Sequence, residues 1–151
     1  MLLDNNFKDM LNALNAASAE YLVVGAHALG AYGQLRATGD FDIWIRSTAE
    51  NAARVWAALD AFGAPRRKLT KADLCTPDNI YQIGVAPFRI DIITSITGVD
   101  FDDAWKNRNQ TQIDGIHVAV LSREDLLKNK RATGRPKDLL DVAWLEQNRN
   151  D

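Results

Sequence analysis

Apolar side chains recur along this chain with two periods, one helical and one extended. Over residues 5 to 19, Phe7, Met10, Leu11, Leu14 and Ala17 fall at helical spacing, which predicts an amphipathic helix that buries one stripe. EYLVVG, residues 20 to 25, is a short β-branched and aromatic run that stops at Gly25, and the alanine-rich segment 26 to 35 behind it suits a helix. DFDIWI at 40 to 45 reads as a strand. Ser47 followed by Glu50 is a capping-box signature ahead of the stripe Ala53, Trp56, Ala57 and Leu59, which Gly63 and Pro65 close.

Residues 66 to 78 are polar and turn-rich, with a short helix capped by Thr70 as the reading. NIYQIGV at 79 to 85 and FRIDIIT at 88 to 94 are strand runs separated by Ala86 and Pro87, as in a hairpin or closely spaced turn. A short helical segment follows around Phe101 to Trp105, and Asp114-Gly115 between QTQI and HVAVL signals a small hairpin. Ser122 and Asp125 form a second capping box for a helix that ends near Gly134. Pro136 then suits the first turn of a last helix with a stripe at Leu140, Ala143 and Trp144. Helices enclosing a mixed sheet define an α/β (α+β) sandwich, expected to fold as a single domain over 1 to 151 with the helices of 122 to 149 packed on it.

Composition narrows the function classes. With 46% hydrophobic and 25% charged residues, the 151-residue chain reads as globular rather than disordered or fibrous. A formal net charge of -2 argues against coating nucleic acid by bulk electrostatics and leaves only a local basic patch open. Cys75, the single cysteine, excludes an intramolecular disulfide and a cysteine-only zinc site, and two histidines are too few for a zinc finger beside it. The N-terminal MLLDNNFKDML has acidic and polar residues where a signal peptide has a basic start and an apolar run, and no apolar stretch approaches ~18 residues. The expectation is a cytoplasmic protein with no membrane partner.

Chemistry is concentrated in two strands. Residues two apart in a strand share a face, so Asp40 and Asp42 project together while Phe41, Ile43 and Ile45 face the other way. Asp91 alternates likewise with Ile90 and Ile92. Three carboxylates on neighbouring strands repel one another unless a divalent cation joins them, and hard oxygen ligands suit Mg²⁺ or Mn²⁺. The pattern alone leaves open that Asp40 and Asp42 cap a strand end after Gly39 and that Asp91 is merely exposed. Gly25, at the end of a buried run and the start of a helix, allows backbone to approach a ligand and offers free N–H groups to phosphate, although glycine also ends strands for local reasons.

VVGAHALGAYGQLRATGDFDIWI followed by FRIDIIT resembles the nucleotidyltransferase superfamily that includes DNA polymerase β and the minimal bacterial nucleotidyltransferases. Its pattern is a strand, Gly-Gly or Gly-Ser, a helix, Asp-x-Asp on the next strand and a third acidic residue on a later one. The closing LSREDLLKNKRATGRPKDLLDVAWLE is similar to the tail of the branch related to abortive-infection toxins, and the resemblance spans roughly residues 20 to 146. It departs at Ala26, where the second small residue of the pair is glycine or serine.

The resemblance implies that Asp40 and Asp42 hold the metals that carry a nucleoside triphosphate, and that Asp91 helps activate an acceptor hydroxyl. It places Gly25 and Ala26 at the phosphates, Lys130 as a phosphate-contacting cation with Asp138 orienting it, and Arg36 and Thr38 in the loop before the metal strand or at the ligand. The implied reaction moves a nucleoside monophosphate from an NTP to a hydroxyl of RNA, a tRNA end or a protein, with release of pyrophosphate, and the branch implies a cognate antitoxin as a possible partner. Ala26 motivates the alternative of a protein that binds nucleotide or partner without turnover, and the same carboxylates would also serve a phosphate-ester hydrolase.

Other residues carry blander readings. Without the resemblance, Lys130 between Lys128 and Arg131 is a solvated helix face. His27 reads as a surface or capping residue. Trp56, Trp105 and Trp144 fit packing, whereas Trp44 shares the aspartate face and is placed to line the site. Arg66, Arg67, Lys68 and Lys71 are a solvated loop or a contact for RNA phosphate.

Overall fold

The computed structural model describes residues 3–34, 39–85 and 87–149. Its centre is a six-stranded mixed sheet built from β1 (Tyr21–Val24), β2 (Asp40–Ile45), β3 (Ile80–Val85), β4 (Phe88–Ile93), β5 (Asn109–Ile113) and β6 (Ile116–Val120), in the order β3-β4-β2-β1-β6-β5. β2 runs parallel to β4 and β1 parallel to β6, while the β1–β2, β3–β4 and β5–β6 pairs are antiparallel.

Parity within the strands decides what lies on each side. Phe7 of α1 (Asn5–Ala16) stacks on Phe41 at a centroid distance of 4.9 Å, so the face carrying Phe41, Ile43 and Ile45 is covered by α1 and by α3 (Ala49–Phe62), which packs against it. Phe7, Met10, Leu11 and Leu14 are all buried, as their spacing predicts. On the opposite face Trp44 is sealed under Phe101 of α4 (Phe101–Lys106), ring edge to ring face at 4.9 Å. Trp44 is thus a core residue and does not line an open site, because α4 closes over the C-terminal half of β2.

Local chemistry explains the boundaries. Gly63 ends α3 in the left-handed conformation, and Asp114-Gly115, both at positive φ, form the two-residue turn between β5 and β6. Ser122 caps α5 (Arg123–Thr133) by accepting from the Asp125 N–H, and Pro136 opens α6 (Pro136–Gln147). Thr70 accepts from the Asp73 N–H ahead of a single 3₁₀ turn at Asp73–Cys75.

Two helices differ from the sequence pattern. The cap of α3 is Thr48, which accepts from the Asn51 N–H, because Ser47 instead donates to the Thr94 carbonyl on the β4 side. This turns the buried stripe of α3 to Asn51, Ala52, Val55, Ala58 and Leu59, leaving Ala53 and Ala57 exposed. Buried Asn51 then joins three backbone groups: it accepts from Glu20 N–H and donates to the Glu20 and Arg46 carbonyls. In α6 the inward residues are Asp138, Asp141, Val142 and Leu145, while Leu140 is 73% exposed. The reason is Lys130 of α5. Its buried ammonium reaches Asp141 at 2.8 Å and Asp138 at 3.4 Å, and Asp138 also accepts from Thr133 and Arg135. That pairing sets the rotation of α6 against α5.

No helix among the described residues is long and apolar enough to cross a membrane. Removing one partner of a buried ion cluster leaves uncompensated charge inside the protein. Lys130→Ala is therefore expected to cost about 3 to 5 kcal/mol in urea unfolding, and exposed Lys128→Ala no more than about 0.5 kcal/mol.

Candidate active site

The parallel pairing of β2 with β4 sets Asp40 opposite Arg89 and Asp42 opposite Asp91. Paired residues share a face, so the carboxylates of Asp40, Asp42 and Asp91 stand together on the side away from α1 and α3. Gly39 makes the start of this pairing possible. Its carbonyl accepts from the Arg89 N–H at 2.6 Å, and a Cβ at residue 39 would overlap the Pro87 carbonyl oxygen. Gly25 has the same relation to Asp42: it sits at φ +70°, where L side chains are strained, and a Cβ there would overlap Asp42 Oδ2. Gly25 and Ala26 open α2 (Gly25–Ala31), a turn with no side-chain cap, directly beside this carboxylate.

Burial and like charge act on Asp42 together. Desolvation first, then the neighbouring Asp91 and Asp40 charges and a hydrogen bond with Asp91, push its pKa up to about 6. Arg89 opposes this but turns mainly to the others. Its Nε donates to Asp91 Oδ1 at 2.9 Å and its Nη2 to Asp91 Oδ2 at 3.1 Å, with Asp40 Oδ2 at 3.3 Å from the same Nη2. Asp91 is buried, whereas the Arg89 side chain is one-third exposed. Among the described residues no three histidine, cysteine, aspartate or glutamate side chains are set to hold a metal ion as the structure stands. The donor set itself is all oxygen, and negative charge at Asp42 is left under-compensated. Both properties suit a hard divalent cation.

Of the other sequence candidates, Lys130 and Asp138 lie together in the α5–α6 hairpin, with the Lys130 ammonium held by Asp138 and Asp141. Arg36 and Thr38 are outside the described residues. His27 is part of an aromatic cluster rather than a surface cap: its ring meets Phe7 and Phe41 edge to face, at 5.6 and 4.8 Å. Burial lowers its pKa against the contrary pull of a hydrogen bond with the Asp40 backbone, and that bond ties α2 to the start of β2. The basic run belongs to the α3 side of the sheet. Arg66 stacks on Trp56 at 4.8 Å and pairs with Asp60, and Lys68 and Leu69 line a cavity of about 290 Å³ with Leu74, Tyr81 and Ile92. Arg89 and Gln82, the exposed residue paired with Asp91 from β3, are the site residues that the sequence reading missed. Arg89 was legible by the same rule that joined Asp40 to Asp42, since it lies two residues before Asp91.

The six-stranded mixed sheet with its helices has the nucleotidyltransferase fold. Two solved structures share it. One is a candidate nucleotidyltransferase from Thermotoga maritima, 14% identical, with a TM-score of 0.61 over 93% of this chain and 88% of that one. The other is a lincosamide antibiotic adenylyltransferase with lincomycin bound, 13% identical, with a TM-score of 0.62 over 98% of this chain and 99% of that one. No family model matches the sequence, and no curated protein matches it.

Two outcomes follow from Asp42. A carboxyl whose folded pKa is about 6 against 3.8 in the unfolded chain binds more protons when folded between those values, so its ionisation opposes folding as pH rises through that window. Asp42→Asn is therefore expected to raise the stability of the metal-free protein above pH 6 by on the order of 2 kcal/mol, with the gain vanishing below about pH 4. Denaturation across pH 3.5 to 8 reads this directly. Gly25→Ala should lose more than about 1 kcal/mol, and less when combined with Asp42→Ala, which removes the overlapping oxygen.

Proposed function

We propose that this protein is a divalent-metal-dependent nucleotidyltransferase that moves a nucleoside monophosphate from a triphosphate to an acceptor hydroxyl, releasing pyrophosphate. The observation that carries the reading is the in-register Asp42–Asp91 pair, with Asp40 on the same face and the Gly25 turn against Asp42. Asp40, Asp42 and Asp91 would hold Mg²⁺ or Mn²⁺, which supplies charge neutralisation at the phosphates and lowers the pKa of the attacking hydroxyl. Everything else falls to the chain. The uncapped turn at Gly25 and Ala26 would receive phosphate oxygens on backbone N–H groups, beside the carboxylates. Asp91, on the strand farther from that turn, would help activate the acceptor hydroxyl, and Asp42 stands between the two. A rigid sheet fixes these groups before substrate arrives, so positioning and electrostatics provide most of the rate.

The acceptor hydroxyl belongs to an RNA end or to a protein side chain. Wild-type protein incubated with each labelled triphosphate, Mg²⁺ or Mn²⁺ and a cell lysate should label a product, and Asp42→Asn should reduce labelling by at least about 100-fold, as for loss of a transition-state electrostatic partner. Sensitivity of the product to ribonuclease or to protease assigns the acceptor class. Absence of transfer from all four triphosphates, with the fold intact, would leave a binding protein in place of an enzyme.

A further inference from the structure

We propose that Arg89 is a latch on the carboxylate site: its guanidinium holds Asp91 and Asp40 until a divalent cation takes their oxygens, and it then binds the triphosphate that comes with the cation. This rests on the nucleotidyltransferase reading and gives it an ordered coupling between metal and nucleotide.

The geometry is that of a fork already engaged. Nε and Nη2 of Arg89 address the two oxygens of Asp91 separately, at 2.9 and 3.1 Å, and Nη2 reaches on to Asp40 at 3.3 Å. One guanidinium therefore bridges the two carboxylates that flank Asp42. A divalent cation drawn to the same oxygens meets a fixed positive charge beside them, and arginine cannot shed its proton to make room. The guanidinium must move instead. Its side chain is one-third exposed, so a path into solvent is open, but its backbone lies in β4, paired with Asp40 of β2 and Gly84 of β3. Strand parity keeps it on the carboxylate face. Displaced there, it stands within reach of whatever occupies that face, and a phosphate presents a pair of anionic oxygens that a guanidinium fork matches. The cation thus loses affinity while the face is bare and recovers it when a triphosphate is present to receive Arg89. Because such coupling is reciprocal, the triphosphate gains from the cation to the same degree.

Titration of Mn²⁺ into the nucleotide-free protein, followed by calorimetry, tests the first half. Arg89→Gln is expected to bind Mn²⁺ about tenfold tighter than wild type, and Arg89→Lys, which keeps the charge, about as weakly as wild type. Inorganic tripolyphosphate at saturating Mn²⁺ tests the second half without reference to a base. Both variants should bind it at least about tenfold more weakly, as for loss of a charge-assisted fork. If Arg89→Gln loses its melting transition, Arg89→Lys carries the test through its unchanged Mn²⁺ affinity and weakened tripolyphosphate binding. Mn²⁺ binding by wild type with no gain in Arg89→Gln overturns the latch and leaves the proposed function standing. Unchanged tripolyphosphate affinity in Arg89→Lys overturns the coupling, and absence of Mn²⁺ binding in every form overturns both readings together.

Discussion

Everything at the candidate site depends on one pairing, the parallel register of β2 on β4. It alone brings Asp42 level with Asp91, and it begins where the Gly39 carbonyl accepts the Arg89 N–H. A slip of β2 by one residue would turn Asp40 and Asp42 into the face packed by α1 and α3, away from Asp91, and bring Phe41 and Ile43 out. The apolar alternation of both strands therefore holds the three carboxylates on one face. Burial of Phe41, Ile43, Ile90 and Ile92 fixes the register, and the acidic residues take the positions that are left.

Much of the fold was legible because its signals are local. The strand at 40 to 45, the Asp114-Gly115 turn, the Ser122 cap and the Gly63 and Gly134 helix ends each follow from two or three neighbouring residues. The errors fall where a distant partner outbids the local pattern. Ser47 gives up the α3 cap to bond Thr94, a strand away, and the Leu140 stripe yields to Asp138 and Asp141 because a lysine eight and eleven residues earlier claims them. Neither partner lies on the helix that it reorganises.

The candidate site divides in the same way. Strand parity, a property of sequence alone, joins Asp40 to Asp42, and the register of β2 on β4 adds Asp91 to their face. Trp44 obeys the same parity yet is buried, since only the packing of Phe101 shows where the open part of that face stops. Arg89 escaped notice for the opposite reason: a basic residue in a strand looks like solvent-facing charge until the register shows two carboxylates beside it.

The contact between Gly25 and Asp42 bears on how such a site is inherited. The glycine is required by the acid, through the space its Oδ2 occupies, as much as by the turn. The two positions form a single heritable unit although they lie on different elements. A descendant that gives up Asp42 loses half the reason for keeping Gly25, so drift at the turn is a mark of a chain that has already abandoned the chemistry. In this chain the glycine and the acid occur together.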